Sequence, residues 1–171
     1  MLIVFAGLPG TGKTTLARAL AQDFDCVYLR IDTIESALRE ALPSGHPIDD
    51  LGYRAAFAIA EENLRLRHKV VADSVNPLDI TREAWHAIAR RTGNRVLDVE
   101  VVCSDTAEHR RRVETRVADI PGHKLPTWDD VIAREYHPWQ TPPHVTIDTA
   151  GKSIEQAVDE LRRVIRAVTG A

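Results

Sequence analysis

The chain is predicted to be an α/β domain wound around a parallel sheet, on three observations. Short apolar runs alternate with amphipathic segments from end to end. No internal repeat or low-complexity stretch interrupts them. The first run, Leu2-Ile3-Val4-Phe5-Ala6, leads straight into Gly7-Leu8-Pro9-Gly10-Thr11-Gly12-Lys13-Thr14, which fits G-x-x-x-x-G-K-[ST] between a strand and a helix.

Taken in order, the first strand ends at Gly7, and Lys13 to Gln22 reads as a helix with Leu16, Ala17 and Leu20 on one face. Cys26 to Ile31 is a second strand ending at Asp32. Thr33 to Ala41 is a helix with Ile34, Ala37, Leu38 and Ala41 as its apolar stripe. Pro43-Ser44-Gly45-His46-Pro47 breaks the chain into a loop before a helix from about Asp50 to Arg67. Lys69 to Asp73 reads as a buried strand. Pro77 and Asp79 then start a helix with Ile80, Ala84, Ile88 and Ala89 inward, ending near Gly93. Val96 to Cys103 is the fourth strand, and Asp105 caps a basic helix running to about Val117. Ile120 to Trp128 is a Pro- and Gly-rich loop, and Asp129 to Tyr136 a short helix stopped by Pro138 and Pro142-Pro143. Val145 to Asp148 is the fifth strand, and Ser153 to Val168 the closing helix. At 171 residues this is a single domain over 1–171, with a small helical lid at about 112–137.

The hydrophobic fraction of 44% and charged fraction of 27% are those of a soluble globular protein. A net charge of −3 disfavours a general nucleic-acid coat or a binder of anionic membranes. Cys26 and Cys103 lie far apart in apolar runs and read as core residues. The seven histidines form no metal-ligand spacing and are expected mostly at the surface. With no long apolar span and no signal peptide, the expected location is the cytoplasm.

The glycine-rich loop is a phosphate cradle, the P-loop. Glycines turn the backbone tightly and let its N–H groups approach phosphate oxygens, and Pro9 stiffens the turn. The following helix aims its N-terminal dipole at the same place. Lys13 can reach the β- and γ-phosphates, and the Thr14 hydroxyl suits Mg²⁺. The nucleotide-binding set is therefore Gly7, Leu8, Pro9, Gly10, Thr11, Gly12, Lys13, Thr14 and Thr15.

Ligands of open α/β sheets bind at the carboxyl ends of strands, where Asp32, Asp73 and Asp148 fall. Asp32 can accept a proton from a hydroxyl attacking the γ-phosphoryl group, or simply cap the next helix. Asp73 closes an apolar run in the manner of a Walker B strand and suits Mg²⁺. Asp148 reads as structural, with Thr149-Ala150-Gly151-Lys152 as candidate adenine surroundings. Arg112 and Arg116, four residues apart in the basic helix, can meet the charge of a transferring phosphoryl group from a mobile segment. Arg134 is a lesser lid candidate. Trp85 reads as core, whereas Trp128 and Trp139 flank the lid and could close over a substrate.

These features resemble the small P-loop kinases that phosphorylate a hydroxyl: the chloramphenicol phosphotransferase and zeta-toxin type, gluconate-kinase-like enzymes, and the kinase domain of phage-type polynucleotide kinases. The resemblance rests on Gly7 to Thr15, Asp32, Asp73-Ser74-Val75-Asn76-Pro77 with Ala84-Trp85 in the next helix, and Arg112 with Arg116. It implies a three-layer P-loop NTPase fold with strand order 2-3-1-4-5. It also implies Asp32 as general base, Asp73 near the metal or acceptor, and lid arginines. One departure bears on the acceptor. Where polynucleotide kinases carry a phosphate-holding arginine three residues after the catalytic acid, this chain has Glu35. A small-molecule alcohol is therefore expected as acceptor in preference to a nucleic-acid end. The expected activity is ATP- and Mg²⁺-dependent phosphotransfer, with Lys13, Asp32, Arg112 and Arg116 catalytic, Arg112 and Gly151 also at the nucleotide, and Thr14 and Asp73 at the metal. A 5′-hydroxyl polynucleotide kinase and a nucleotide-hydrolysing switch protein remain as alternatives. ATP is favoured over GTP because no Asn-Lys-x-Asp guanine signature is present.

Overall fold

Residues 1–139 and 144–169 are described by the computed structural model of the chain. The Pro142-Pro143 pair expected to stop the short helix lies outside them.

Five parallel strands form one sheet: β1 (Leu2–Ala6), β2 (Cys26–Arg30), β3 (Lys69–Asp73), β4 (Val96–Val102) and β5 (His144–Asp148). Their spatial order is β2-β3-β1-β4-β5, as the resemblance implied. β1 is central because it is apolar at every position, and all five of its side chains are buried. Alternate residues of the strands then serve two cores. Ile3, Phe5, Val71, Leu97, Val99, Val101 and Ile147 face α1 (Lys13–Asp23) and α7 (Ile154–Thr169), which bring Leu16, Leu20, Leu161 and Ile165. Leu2, Val4, Val70 and Ala72 face α3 (Leu51–Arg65) and α4 (Asp79–Arg91), which bring Ala56, Ala60, Leu64, Trp85 and Ile88. This gives three layers, with α2 (Ile31–Ala41) following β2 directly.

The structure differs from the sequence reading in the facing of two helices and the length of two others. In α2 the buried residues are Ile31 and Ser36, while Ala37 and Ala41 are exposed. In α4 Ile80 is 76% exposed and the buried face runs through Arg82, Trp85, Ile88 and Ala89. In α4 the reason is Arg82, a polar residue that can face inward because Asn76 O, Pro77 O and His137 O accept from it. α5 (Thr106–Thr115) is capped as expected by Asp105, which accepts from Glu108 N at 2.9 Å, but it ends before Arg116. α6 is short (Trp128–Ile132), with Thr127 and Asp130 closing a capping box.

Asn76 is the joint between the sheet and α4. It is fully buried, and its φ of 44° lies in the left-handed region that asparagine tolerates. Its Nδ2 donates to Phe5 O at 2.7 Å, and its Oδ1 accepts from Trp85 Nε1 at 3.1 Å. Arg82 Nε donates to its carbonyl at 3.0 Å. The Asp-Ser-Val-Asn-Pro turn is thus held from inside.

The second face of β4 is polar. Asp98 and Glu100 are 3% and 5% exposed, on the same side as Val4, where an apolar pair would be the simpler solution. His86 Nε2 lies 2.7 Å from Asp98 Oδ2, and Tyr136 Oη donates to Glu100 Oε1 at 2.7 Å. Arg82 stacks on Trp139 at 4.6 Å and on Tyr136 at 5.5 Å. This cluster fastens residues 136–139 back against the sheet. Hydrogen bonding to Asp98 raises the His86 pKa against the lowering effect of burial, while burial raises that of Asp98.

Two outcomes are expected. Asn76→Ala leaves Trp85 Nε1 without its acceptor and Phe5 O without a donor, and should cost about 2–4 kcal/mol in urea unfolding. Because the folded His86 pKa is raised, its contribution is full below the ordinary histidine value and is lost as pH rises through the folded one. His86→Gln should therefore lower stability by about 1 kcal/mol near pH 6 and flatten the decline towards pH 8, read from melting curves.

Candidate active site

The loop after β1 opens at the middle of the sheet's carboxyl edge. Gly7 (φ 136°), Gly10 (φ 87°) and Gly12 (φ 99°) all take conformations that disfavour side chains. A Cβ on Gly7 would sit 2.2 Å from Val101 O, so the loop lies against β4 with no room to spare. Thr11 turns inward and donates to Leu8 O at 2.9 Å. His109 of α5 is buried, contrary to the surface expectation for the histidines. Its Nε2 lies 2.8 Å from Pro9 O, which can only accept, so that nitrogen carries the proton. Trp128 packs edge-on against the His109 ring at 5.2 Å. The cradle is thereby braced from α5 and α6.

A cavity of about 1130 Å³ opens over this loop. Pro9, Gly10, Gly12, Lys13, Thr14 and Thr15 form its floor; Gly7, Leu8 and Thr11, expected beside them, lie outside its lining. Lys13 is 8% exposed, with Nζ donating back to Leu8 O at 3.1 Å. Burial lowers its pKa, and the Asp73 and Asp32 carboxylates oppose that shift.

Asp32 and Asp73 both line the cavity. Asp73 reaches it because β3 pairs with β1, setting Phe5 opposite Asp73. Arg30 is next in the row, paired with Asp73 from β2. Asp32 lies in the first turn of α2 and does not cap it; the cap position is Arg30, with no side-chain capping bond. Its side chain is 43% exposed, with Oδ2 at 3.5 Å from Arg30 Nη2. Tyr28 packs against the core outside the cavity lining, yet it touches one of the residues that line it. Its Oη donates to Asp73 Oδ2 at 2.7 Å, and burial beside that carboxylate raises its pKa.

The two arginines expected on one helical face diverge. Arg116 follows α5 with extended backbone (φ −67°, ψ 148°), so the helical geometry that would pair it with Arg112 is gone. Arg112 donates to Thr149 Oγ1 at 2.8 Å, Thr149 O at 2.9 Å and Glu108 Oε1 at 2.6 Å. Glu108 also accepts from Gly151 N at 2.9 Å, so the loop considered for adenine is tied to α5 and lies outside the cavity lining. Asp148 accepts from Ser104 N and Ala150 N, each at 3.0 Å, in the structural role expected of it. Arg116 lines the cavity with Nε and Nη2 buried and lacking any hydrogen-bond partner among the described residues. Burial lowers its pKa against the pull of Asp32. Arg134 lines the cavity too, whereas Trp128 and Trp139 do not.

Glu35 lines the cavity, and Arg39 pairs with it, Nη2 to Oε2 at 3.1 Å. The expected repulsion of a phosphate at this position is weakened accordingly. The countercharge comes from one helical turn away and not from the adjacent residues Thr33 and Ile34.

A central strand, a glycine loop and a buried lysine at the carboxyl edge of a 2-3-1-4-5 sheet define the P-loop nucleotide-binding fold. Within it, the chain belongs to the AAA domain family, whose sequence pattern matches residues 2–134. It is 28% identical to a Pyrococcus furiosus protein named "Putative adenylate kinase", over 98% of this chain and 85% of the other. Among solved structures it is similar to Chaetomium thermophilum Kti12 in complex with ADP-AlF3, at 21% identity and a TM-score of 0.70 over 95% of this chain and 98% of that one. A gluconokinase from Sinorhizobium meliloti aligns at 20% identity with a TM-score of 0.65, over 98% and 94% of the two chains. The Mycobacterium tuberculosis APS kinase CysC, in complex with AMPPNP and APS, aligns at 18% with a TM-score of 0.67, covering 96% of each. The small P-loop kinase resemblance drawn from the motifs therefore holds in the fold.

His109→Ala should remove the brace on Pro9 and lower nucleotide affinity about tenfold, the equivalent of one hydrogen bond, in a fluorescent-nucleotide titration. Its circular dichroism should stay unchanged.

Proposed function

We propose that the protein is an ATP- and Mg²⁺-dependent phosphotransferase that moves the γ-phosphoryl group to a hydroxyl of a small molecule. The observation that carries this reading is that Lys13, Asp32, Asp73 and Arg116 line one cavity and act on one another electrostatically. The kinase names among the similar proteins support it.

In this reading the loop N–H groups from Gly7 to Thr15 and the Lys13 ammonium hold the phosphates. The Thr14 hydroxyl and the Asp73 carboxylate are hard oxygen donors on the wall of one cavity, a set that fits Mg²⁺. Mg²⁺, when bound, neutralises charge on the β- and γ-phosphates. Tyr28 keeps Asp73 turned towards that place. Asp32 takes the proton of the acceptor hydroxyl while that oxygen bonds the γ-phosphorus. The bond broken is the one to the β–γ bridging oxygen, whose electron pair leaves with ADP. Arg116, with two unengaged nitrogens, meets charge on the transferring group, and residues 112–137 act as the lid that brings it there. Arg112 holds the loop after β5 at Thr149, and Glu108 holds it at Gly151, at the rim of the nucleotide site.

Asp32→Asn should lower acceptor-dependent ADP release by about a thousandfold or more and leave ATP affinity within a fewfold. Near-normal turnover in that variant removes Asp32 from the role of base. A labelled-ATP assay with a 5′-hydroxyl oligonucleotide tests the alternative acceptor, because Arg39 pairs with the Glu35 carboxylate that argues against it.

A further inference from the structure

Arg30 closes β2 and lines the cavity beside Asp32, yet its side chain is only 8% exposed. A guanidinium so far from water needs an anion close by, or its desolvation costs several kcal/mol. Asp32 stands 3.5 Å from Nη2, and the hydrogen-bonded anion is Asp119, in the segment that follows Arg116. Nη1 donates to Oδ2 at 2.6 Å and Nη2 to Oδ1 at 3.0 Å, the two-bond fork of arginine on a carboxylate. Arg18 of α1 adds a bond of 2.7 Å to Oδ2.

The two partners of this pair are held very differently. Arg30 belongs to the sheet and cannot leave. Asp119 is 44% exposed on an open stretch where neighbouring Val117 is 89% exposed, so little but the ion pair keeps it there. The same segment carries Arg116 and roofs the cavity through which any acceptor must reach Asp32. Arg30 Nε has no hydrogen-bond partner among the described residues, which leaves a donor to spare on that guanidinium. Arg39, Lys124 and Arg134 also line the cavity, so its wall is basic beyond the lysine and arginine the phosphates require.

We propose that Asp119 stands in for an oxyanion of the acceptor. The acceptor is an alcohol bearing a carboxylate, phosphate or sulfate group, which displaces Asp119 from the Arg30 fork and so sets its hydroxyl at Asp32. This rests on the phosphotransferase reading above. Exchanging one oxyanion for another keeps the buried guanidinium paired throughout, and the released Asp119 returns to water. A neutral alcohol gains nothing from Arg30 and leaves the fork occupied.

The test separates binding from transfer. With the P-loop saturated by a non-hydrolysable ATP analogue, acetate, inorganic phosphate and sulfate are titrated at constant ionic strength and followed by amide NMR. Asp119→Asn removes the internal competitor and should tighten binding of at least one of these anions about tenfold. Adding Arg30→Gln should abolish that gain. Arg30→Lys, which keeps the charge but loses the fork, should reduce it, and serves if the glutamine variant does not fold. A preference for acetate indicates a carboxylate-bearing acceptor; a preference for phosphate or sulfate indicates a tetrahedral oxyanion. No gain in Asp119→Asn, or a gain indifferent to Arg30, overturns the proposal. In a parallel ADP-release assay, glycerol is compared with glycerate and glycerol 3-phosphate, and glucose with gluconate. A neutral alcohol turned over as well as its charged counterparts also overturns it, with group transfer left standing. An anion site that behaves as described in a protein that phosphorylates none of them supports the site and counts against the transferase reading.

Discussion

Everything at the candidate site depends on β1 being buried on both faces between β3 and β4. A parallel strand covered by helices on each side must end at the sheet's carboxyl edge, and the chain leaving it has to turn within the space its neighbours allow. Here that space is so small that a methyl group on Gly7 would meet the Val101 carbonyl. The same seating places Asp73 opposite Phe5, and Arg30 opposite Asp73. Two opposite charges on adjacent strand ends, Asp73 of β3 and Arg30 of β2, follow from hydrogen-bond register alone.

The charge of the cavity runs against that of the molecule. The chain carries a net −3, yet Lys13, Arg18, Arg30, Arg39, Arg112, Arg116, Lys124 and Arg134 line the cavity against Asp32, Glu35, Asp73, Asp119 and Asp130. Concentrating basic groups in a cleft focuses the field on an anionic ligand without making the whole surface sticky for polyanions. Burial of Lys13 works against its charge, and the neighbouring Asp73 and Asp32 carboxylates oppose that effect. Basic and acidic groups at this site are therefore interdependent.

Support for the cavity comes from polar contacts in two places. His109 grips the loop carbonyl at Pro9 from α5, and Trp128 of α6 backs the imidazole ring. On the far side, Asp98 and Glu100 replace apolar residues on one face of β4 and recruit His86 and Tyr136, with Arg82 stacked on the Tyr136 ring. Buried polar groups of this kind are costly unless satisfied; Asp98 finds His86 on the preceding helix, and Glu100 finds Tyr136 beyond the roof segment. They anchor both ends of the segment that roofs the site.

The sequence by itself determined the elements and the phosphate cradle. Apolar runs closed by glycine or aspartate, and a glycine pattern with a lysine behind it, are local signals that need no distant partner. The bounds of β3, Lys69–Asp73, are legible to the residue, and so are Asp32 and Asp73 as cavity residues, because strand ends are where an α/β sheet offers its ligands a cleft. Tertiary structure alone decided which polar groups meet. Asp119 lies 89 residues from Arg30, Tyr28 lies 45 from Asp73, and His109 lies 100 from Pro9. No periodicity or spacing encodes such pairs, since each depends on strand order and on the path of a loop across the surface. The same cause turned Ile80 outward and Arg82 inward: a buried arginine is affordable only where Asn76, Pro77, His137 and two aromatic rings converge on it. Local chemistry names the candidates, and long-range packing chooses among them, because desolvation is offset only by partners the fold brings from elsewhere.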